Sequence, residues 1–286
     1  MTIDRATFFV LLCLLTSVAS AGQQPASPTT APTPAAAAVP TADSAYFAAN
    51  EPATTAKIGK TVHAYKLTGD PPKIDGTLDD EVWARAQRAG GYVQWDPDNM
   101  EPVSERTELQ VAYDNRYLYV AIRCYDRTPD LIAGGLARRD EFPPTDTISV
   151  KFDPRHDHQT SYIFQTNPSA MQTDLFNYDD DKIDRDFDAV WEVRTTIDRE
   201  GWTAEYRIPF SQMRFNASPA PGQVWGLTSR RVIRRRGETA EWIGRPRGER
   251  GEVSRFGHLV FDEALTPPRR IELLPYTLAR SERQPS

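Results

Sequence analysis

The sequence is poor in cysteine, with two in 286 residues, Cys13 and Cys124. A basic residue and a short apolar run precede Ala19-Ser20-Ala21, which matches the small-residue cleavage pattern of a secretory signal peptide. Residues 1–21 are therefore predicted to be removed, and Cys13 with them, so that no intramolecular disulfide can form and packing must supply the stability. Cys124 alternates with apolar residues and is predicted to be a buried small side chain.

Net positive charge is also lacking. The 34 Lys and Arg against 40 Asp and Glu give a formal net charge of −6, so nucleic acid is not an expected partner. The chain has no nucleophile elbow, no paired metal-binding histidines on a helix, no phosphate loop and no dinucleotide fingerprint. No catalytic residue is predicted, although a hydrolase of O-glycosyl bonds, which needs only two carboxylates, stays an alternative.

Large apolar residues are scarce in residues 22–60, which are rich in Pro, Ala and Thr and are predicted to be a disordered linker. A compact domain is predicted over residues 61–265. Its first residues include Asp75-Gly76, a pair that favours a turn, and Thr77, which fits a helix-capping pattern. A helix is predicted from Leu78 onward, and its apolar side places Trp83 in the core.

Alternation of apolar and polar residues with period two predicts that most of this domain is β-strand. The clearest case is a hairpin in which residues 109–113 and 118–124 flank the turn Asp114-Asn115-Arg116. Similar runs occupy residues 61–67, 147–152, 161–166, 190–197, 202–208, 224–233, 241–243 and 256–261. Because nearly all connections are too short for crossover helices, we expect an all-β fold, an antiparallel two-sheet β-sandwich of jelly-roll type with one or two short helices, one of them near residues 211–213.

Several motifs in order resemble the family 9 carbohydrate-binding module. They are Ile74-Asp-Gly-Thr-Leu-Asp-Asp-Glu-Val-Trp83, the hairpin from Asp114 to Val120, Thr145–Asp153, Gly201–Phe210 and Ser254–Leu259. The sequence is similar to the subgroup in which such a module precedes an outer-membrane β-barrel of unknown function. Residues 266–286 would then be the start of a further, truncated C-terminal barrel domain. The resemblance implies a β-sandwich that binds glycan chain ends and calcium.

The resemblance also implies ligand-facing polar side chains at Gln165 and Arg230. Two tryptophans clamp the sugar in the family; the matching places fall near Pro143 and Arg250, neither of which is aromatic, although Phe142 adjoins the first. From the residues themselves, aromatic rings with a few directed polar groups suit a sugar pocket. The candidates of this kind that do not fit the aliphatic core include Trp95, Arg123 and Trp242, and packing at a sheet surface is the alternative for each of them.

Acidic residues between two predicted strands are the candidate metal ligands, since hard cations take several carboxylate oxygens. Asp179, Asp181 and Asp184 are the predicted calcium ligands, with a solvated acidic loop as the alternative. His156 and His158 with Asp157 are read as a solvated turn rather than a zinc site. The arginines between residues 230 and 255 form a basic stretch, which suits either an anionic ligand or ion pairing with nearby glutamates.

The leading functional prediction is a non-catalytic glycan-binding β-sandwich of an exported envelope protein, linked to carbohydrate catabolism and located in the periplasm, outer membrane or extracellular space. One alternative is a protein-interaction domain of an outer-membrane barrel that has no sugar site. The other is a fragment of a glycoside hydrolase.

Overall fold

The computed structural model describes residues 60–136, 138–141, 143–218 and 220–266. The predicted signal peptide, the linker up to residue 59 and the segment from residue 267 onward lie outside the described residues, so these three assignments stay predictions. In the described part, no helix combines the length and the apolar character needed to cross a membrane.

Thirteen strands and one short α-helix make up the regular structure of the described residues. The strands are β1 Thr61–Lys66, β2 Val93–Asp96, β3 Thr107–Tyr113, β4 Tyr117–Tyr125, β5 Thr147–Asp153, β6 Ser161–Thr166, β7 Gln172–Tyr178, β8 Lys182–Asp184, β9 Glu192–Asp198, β10 Gly201–Pro209, β11 Gln223–Ile233, β12 Glu238–Glu241 and β13 Gly257–Phe261. The helix, α1, is Glu81–Arg85, and single 3-10 turns occupy Pro129–Leu131, Phe210–Gln212, Arg234–Arg236 and Val253–Arg255. The predicted all-β class and the predicted turn near residue 211 are confirmed.

The strands form one continuous sheet that divides at β1 into two halves. The large sheet has the order β8-β7-β6-β5-β11-β13-β1, and β12 and β2 extend it beside the second half of β11. The small sheet has the order β1-β3-β4-β10-β9. Residues 61–64 of β1 pair with β13 and residues 65–66 pair with β3, so β1 belongs to both sheets.

The prediction of purely antiparallel pairing is wrong at β1, which runs parallel to both β13 and β3. The chain travels from β1 to β3 through residues 67–106, which include α1 and β2 and are long enough for a crossover. Alternation of side chains carries no information on strand direction, and the partner β13 lies at the far end of the domain. The fold is a mixed sheet that is consistent with a two-sheet sandwich.

The core lies between the two sheets. Val111, Val120 and Trp202 of the small sheet and Val150 and Leu227 of the large sheet belong to one cluster, and each of these side chains is fully buried. Cys124 is part of the same cluster, as the alternation in β4 predicts. Burial of these side chains stabilises the fold by about 1.5 to 3 kcal/mol for each large aliphatic residue.

A second, smaller cluster lies on the outer side of the small sheet, where α1 packs. Trp83 is 2% exposed, which confirms the prediction that it is a core residue. The predicted start of the helix is wrong, because α1 begins at Glu81 and residue 77 lies outside it. The Thr77 amide instead donates to the Asp75 carboxylate at 2.8 Å, which closes a turn that competes with helix at this position.

Residues 172–184 form the hairpin of β7 and β8, where the sequence predicts an acidic loop. Asp174 lies inside β7 and is fully buried. Its carboxylate accepts hydrogen bonds from Arg139 at 2.5 Å and from the indole of Trp191 at 3.3 Å. These distant partners allow a carboxylate to occupy a strand interior, and the loop assignment is corrected accordingly.

Candidate functional site

The side of the large sheet that points away from the core carries polar residues, and we call it the polar face. In β5, Ile148, Val150 and Phe152 point into the core, so Ser149 and Lys151 point the other way. Strand register then places three polar side chains side by side, because Ser149 pairs with Gln165 of β6 on one side and with Arg230 of β11 on the other. Two strand spacings separate Gln165 from Arg230, about 10 Å.

The row continues onto β12, where Arg230 pairs with Glu241. The Arg230 guanidinium donates to the Glu241 carboxylate, with Nε at 2.8 Å from Oε1. Gln165, which is half-buried, makes no hydrogen bond with any other described residue through its side-chain amide. The row therefore offers one fixed guanidinium and one amide whose donor and acceptor are both free for a ligand.

Residues 243–256, the cover segment, lie over one end of the polar face. Glu252 of this segment pairs with the ammonium group of Lys151. The Asp180 carboxylate in the β7–β8 turn accepts hydrogen bonds from the amides of Glu252 and Ser254, both at 2.9 Å. The cover segment therefore contacts the large sheet at two points, at Lys151 in β5 and at Asp180 in the β7–β8 turn.

Between the cover segment and the sheet lies a small recess with a cavity volume of about 20 Å³, which opens to solvent. Its charged lining consists of Lys151, Arg230, Glu241, Arg245, Glu252 and Arg255. The guanidinium of Arg245 lies 4.4 Å from the ring centroid of Trp95, a cation–π contact that places this half-buried indole beside the recess. Polar groups and an aromatic ring therefore converge at the end of the row that begins at Gln165.

Electrostatics in the recess follow from burial and from the excess of basic groups. Burial lowers the pKa of the Lys151 ammonium, and the positive charge of Arg230 lowers it further. Burial alone would raise the pKa of Glu252, but Lys151 and Arg230 hold it below its usual value. Both shifts have the direction that a positive local potential produces.

Arg123, a predicted site residue, lies on the opposite side of the molecule from the polar face, on the outer side of the small sheet. Its guanidinium donates to Asp198 at 2.6 Å and to Glu200 at 2.8 Å. It lines a separate and larger cleft with a volume of about 380 Å³, bounded by the segment before α1. The structure does not bring Arg123 together with Gln165 and Arg230.

Trp242, another predicted site residue, lies in the core. It is 1% exposed, and its indole N–H donates to the carbonyl of Gly90 at 3.0 Å. Glu241 faces outward beside Arg230, so the next residue along the chain faces inward. The structure thus gives Trp242 a packing role and separates it from the other candidates.

The two positions that match the sugar clamps of the family carry no aromatic ring in the described residues. Pro143 is half-buried near the start of β5, and Phe142 lies outside the described residues. Arg250 is exposed in the cover segment, where its carbonyl accepts a hydrogen bond from Arg255 at 2.9 Å. In the described part of this face, Phe256 lines the recess, and Trp95 lies beside it through its contact with Arg245.

The predicted calcium ligands lie on the β7–β8 hairpin. Asp179 pairs with Lys182 at 2.8 Å, and Asp184 accepts a hydrogen bond from the Asp186 amide at 2.9 Å. Asp181 lies in the turn between the strands. Among the described residues, no three His, Cys, Asp or Glu side chains are arranged to hold a metal ion, so the carboxylates as placed do not fit a shared site. Calcium binding remains a prediction of the sequence.

Sequence reasoning missed Ser149 and Lys151. It gave Arg245 only as part of a basic stretch, and Glu252 only as one of the glutamates that pair with that stretch. A signal for the first two is present, because the alternation in Thr147–Asp153 assigns them to the face opposite Val150. No comparable signal exists for Glu252, which reaches Lys151 from 101 residues away through an irregular segment.

Comparisons with known proteins agree with this architecture. The sequence model described as "Carbohydrate family 9 binding domain-like" matches residues 74–260. No curated protein sequence matches the chain.

Solved structures with a similar fold include a family 9 carbohydrate-binding module from Caldicellulosiruptor kristjanssonii, in complexes with cellotriose and with glucose. The first is 15% identical with a TM-score of 0.50 and the second 16% identical with a TM-score of 0.51; each comparison covers 76% of this chain and 100% of the other. A protein from Bacteroides uniformis that is described as carbohydrate-binding is 13% identical with a TM-score of 0.55, over 71% of this chain and 100% of the other. At these identities the similarity concerns the fold. Because the family model spans more than half of the sequence, the chain belongs to the carbohydrate family 9 binding domain-like family.

Proposed function

We propose that this chain is a non-catalytic carbohydrate-binding module whose sugar site is the polar face. The observation that carries the proposal is the cross-strand row of Gln165, Ser149 and Arg230, which ends at a recess flanked by Trp95. Family membership and the similar fold of modules solved with cellotriose and glucose support it.

The row matches the chemistry that a sugar requires. Sugar hydroxyls donate and accept hydrogen bonds, and the free amide of Gln165 can do both, while Arg230 donates. Glu241 holds the Arg230 guanidinium in place before a ligand arrives, so little side-chain entropy is lost on binding. Each hydrogen bond to the charged guanidinium contributes about 1.5 to 3 kcal/mol.

The test is isothermal titration calorimetry, in which glucose, cellotriose and acidic oligosaccharides are titrated into the full chain, for the wild type and for matched variants. Gln165→Ala removes the free amide from the row, and Arg230→Lys keeps the charge but loses the planar fork. Arg207→Gln is the control, since Arg207 lies on the small sheet and pairs with Glu192. We expect each polar-face variant to weaken binding by about tenfold or more and the control to leave it unchanged.

A further variant locates the site. Arg123→Gln changes the cleft on the small sheet and leaves the polar face intact. If binding is lost in Arg123→Gln and retained in Gln165→Ala, the sugar site is that cleft and the proposal for the polar face is wrong. If the folded wild-type chain binds no sugar, the proposal of a carbohydrate-binding module is wrong, and a role in contacts with other proteins is supported instead.

We also propose that the module is exported and holds glycan for a larger envelope protein that takes part in carbohydrate catabolism. The signal-peptide pattern of residues 1–21 supports export. Mass spectrometry of the chain expressed with its own N-terminus tests this, because cleavage predicts a mature protein that starts at Gly22. Retention of the first 21 residues would contradict export by this route.

A further inference from the structure

The recess on the polar face is basic, although the chain as a whole carries a net charge of −6. Four basic side chains line it, against the two carboxylates of Glu241 and Glu252. These carboxylates are occupied, because Glu241 binds Arg230 and Glu252 binds Lys151. The remaining two basic groups, Arg245 and Arg255, therefore determine what charge the recess presents.

Only one of these two has a carboxylate partner. Arg255 pairs with Glu249 at 2.6 Å. Arg245 has no carboxylate within ion-pair distance in the described part of the chain; it donates through one terminal nitrogen to the carbonyl of Gly251 at 2.6 Å. Its other N–H donors stay available to a ligand in the recess.

The position of Arg245 is set by a cation–π contact and a backbone hydrogen bond rather than by an ion pair. Its guanidinium lies 4.4 Å from the ring centroid of Trp95, and the bond to Gly251 fixes a second point. A guanidinium is planar, so its remaining donors lie in one plane, and this geometry matches the two oxygens of a carboxylate in a bidentate pair. The positive charge of the recess also lowers the pKa of Glu252, since Lys151, Arg230 and Arg245 all act on it.

We propose that the saccharide bound at the polar face is acidic and that Arg245 binds its carboxylate, which makes Arg245 the residue that selects uronic-acid sugars over neutral ones. This inference rests on the proposed function, because it names the ligand class of the same site. The row from Gln165 to Arg230 binds the hydroxyl groups, and the recess binds the acid.

The experiment compares cellotriose with the β-1,4-linked triglucuronate, which has the same linkage but a carboxylate on each ring. Both are titrated into the full chain at about pH 7, where the uronate is ionised, in about 20 mM and about 500 mM salt. We expect the triglucuronate to bind at least about tenfold more tightly at low salt and to lose most of this preference at high salt.

Variants then assign the preference to one residue. Arg245→Gln should remove the preference, so that the variant binds triglucuronate no more tightly than it binds cellotriose. Arg245→Lys should keep part of the preference, because the charge remains but the fork is lost. Arg247→Gln is the matched control on the same segment, since Arg247 binds Asp96 and the carbonyl of Pro97 at 3.0 Å. Thermal melts confirm that each variant is folded.

The outcomes separate this inference from the proposed function. A preference for the uronate that Arg245→Gln abolishes and Arg247→Gln retains supports the inference. Equal or tighter binding of cellotriose overturns the acidic-ligand inference and leaves the carbohydrate-binding function standing. A preference for a sulfated trisaccharide over the uronate overturns the carboxylate assignment. Absence of binding to every saccharide overturns both.

Discussion

Glu205 is a buried carboxylate whose protonation should control the stability of the domain. It lies in β10 with no exposed surface, beneath the segment that leads into α1. Its carboxylate accepts hydrogen bonds from the Trp83 indole at 2.9 Å and from the amides of Asp75 and Gly76 at 3.0 and 3.1 Å. Burial raises the pKa of Glu205 to about 7, against the opposing effect of these three donors.

The direction of the pH dependence follows from that shift. The folded state holds the proton more tightly than the unfolded state, in which the pKa is 4.5, so the contribution of Glu205 is fully present below about pH 4.5 and is lost as pH rises through about 7. Between pH 5 and pH 8 the loss amounts to about 2.5 kcal/mol.

Glu205→Gln isolates this effect, because the amide is similar in shape and does not titrate. Urea unfolding of both proteins is followed by tryptophan fluorescence from about pH 5 to about pH 8. We expect the free energy of unfolding of the wild type, relative to Glu205→Gln, to fall by about 2.5 kcal/mol over that range. A constant difference would show that the three donors fully offset burial, and a wild type that gains stability with rising pH would show that they outweigh it. Either result would refute the reasoning.

Three further predictions concern packing, reactivity and metal binding. Gly201→Ala should lower the unfolding free energy by several kcal/mol, because φ is +138° and an added Cβ would lie 2.1 Å from the Cys124 carbonyl. Gly222→Ala should lower it by only about 1 kcal/mol, since nothing lies within 4 Å of an added Cβ there. Burial raises the pKa of the Cys124 thiol to about 11, so a thiol reagent should label it only after unfolding, and fast labelling of the native protein would contradict its burial. The sequence predicts that calcium raises the melting temperature and that Asp181→Asn reduces the rise; no calorimetric heat and no thermal shift would exclude calcium binding.

Local patterns predicted the parts of the fold that depend on local physics. The hairpin of β3 and β4 follows from period-two alternation on both sides of a turn, and its register pairs Leu109 with Ile122 as an aliphatic inward-facing pair. Trp83 follows from its place in an apolar helical pattern. These features need only neighbouring residues, so the sequence contains the whole signal.

Features that depend on distant partners were not predictable in this way. The strand β7 contains Asp174, which becomes acceptable in a sheet only because Arg139 lies 35 residues upstream in sequence and beside it in space. The parallel pairing of β1 with β13 joins the two ends of the domain. In each case the stabilising partner is absent from the local window.

The candidate site also contains both kinds of feature, those with a signal in the local sequence and those that depend on distant partners. The family motifs placed Gln165 and Arg230 on one face, and strand register brings them into one row. Composition alone grouped Trp242 and Arg123 with them. Trp242 follows the outward-facing Glu241 and therefore points into the core, and Arg123 lies on the other sheet. The ion pair of Lys151 with Glu252 depends on the path of the cover segment, for which the sequence has no periodic signal.

An NMR titration of the isotope-labelled chain with cellotriose and with triglucuronate shows which face of the domain binds the saccharide. Binding at the polar face predicts that the largest chemical-shift changes occur at the side-chain amide of Gln165, at the guanidinium of Arg230 and at the indole N–H of Trp95. The resonances of Arg123 and its neighbours in the small-sheet cleft should stay unchanged. Shifts confined to that cleft, or no shifts with either saccharide, would contradict the account.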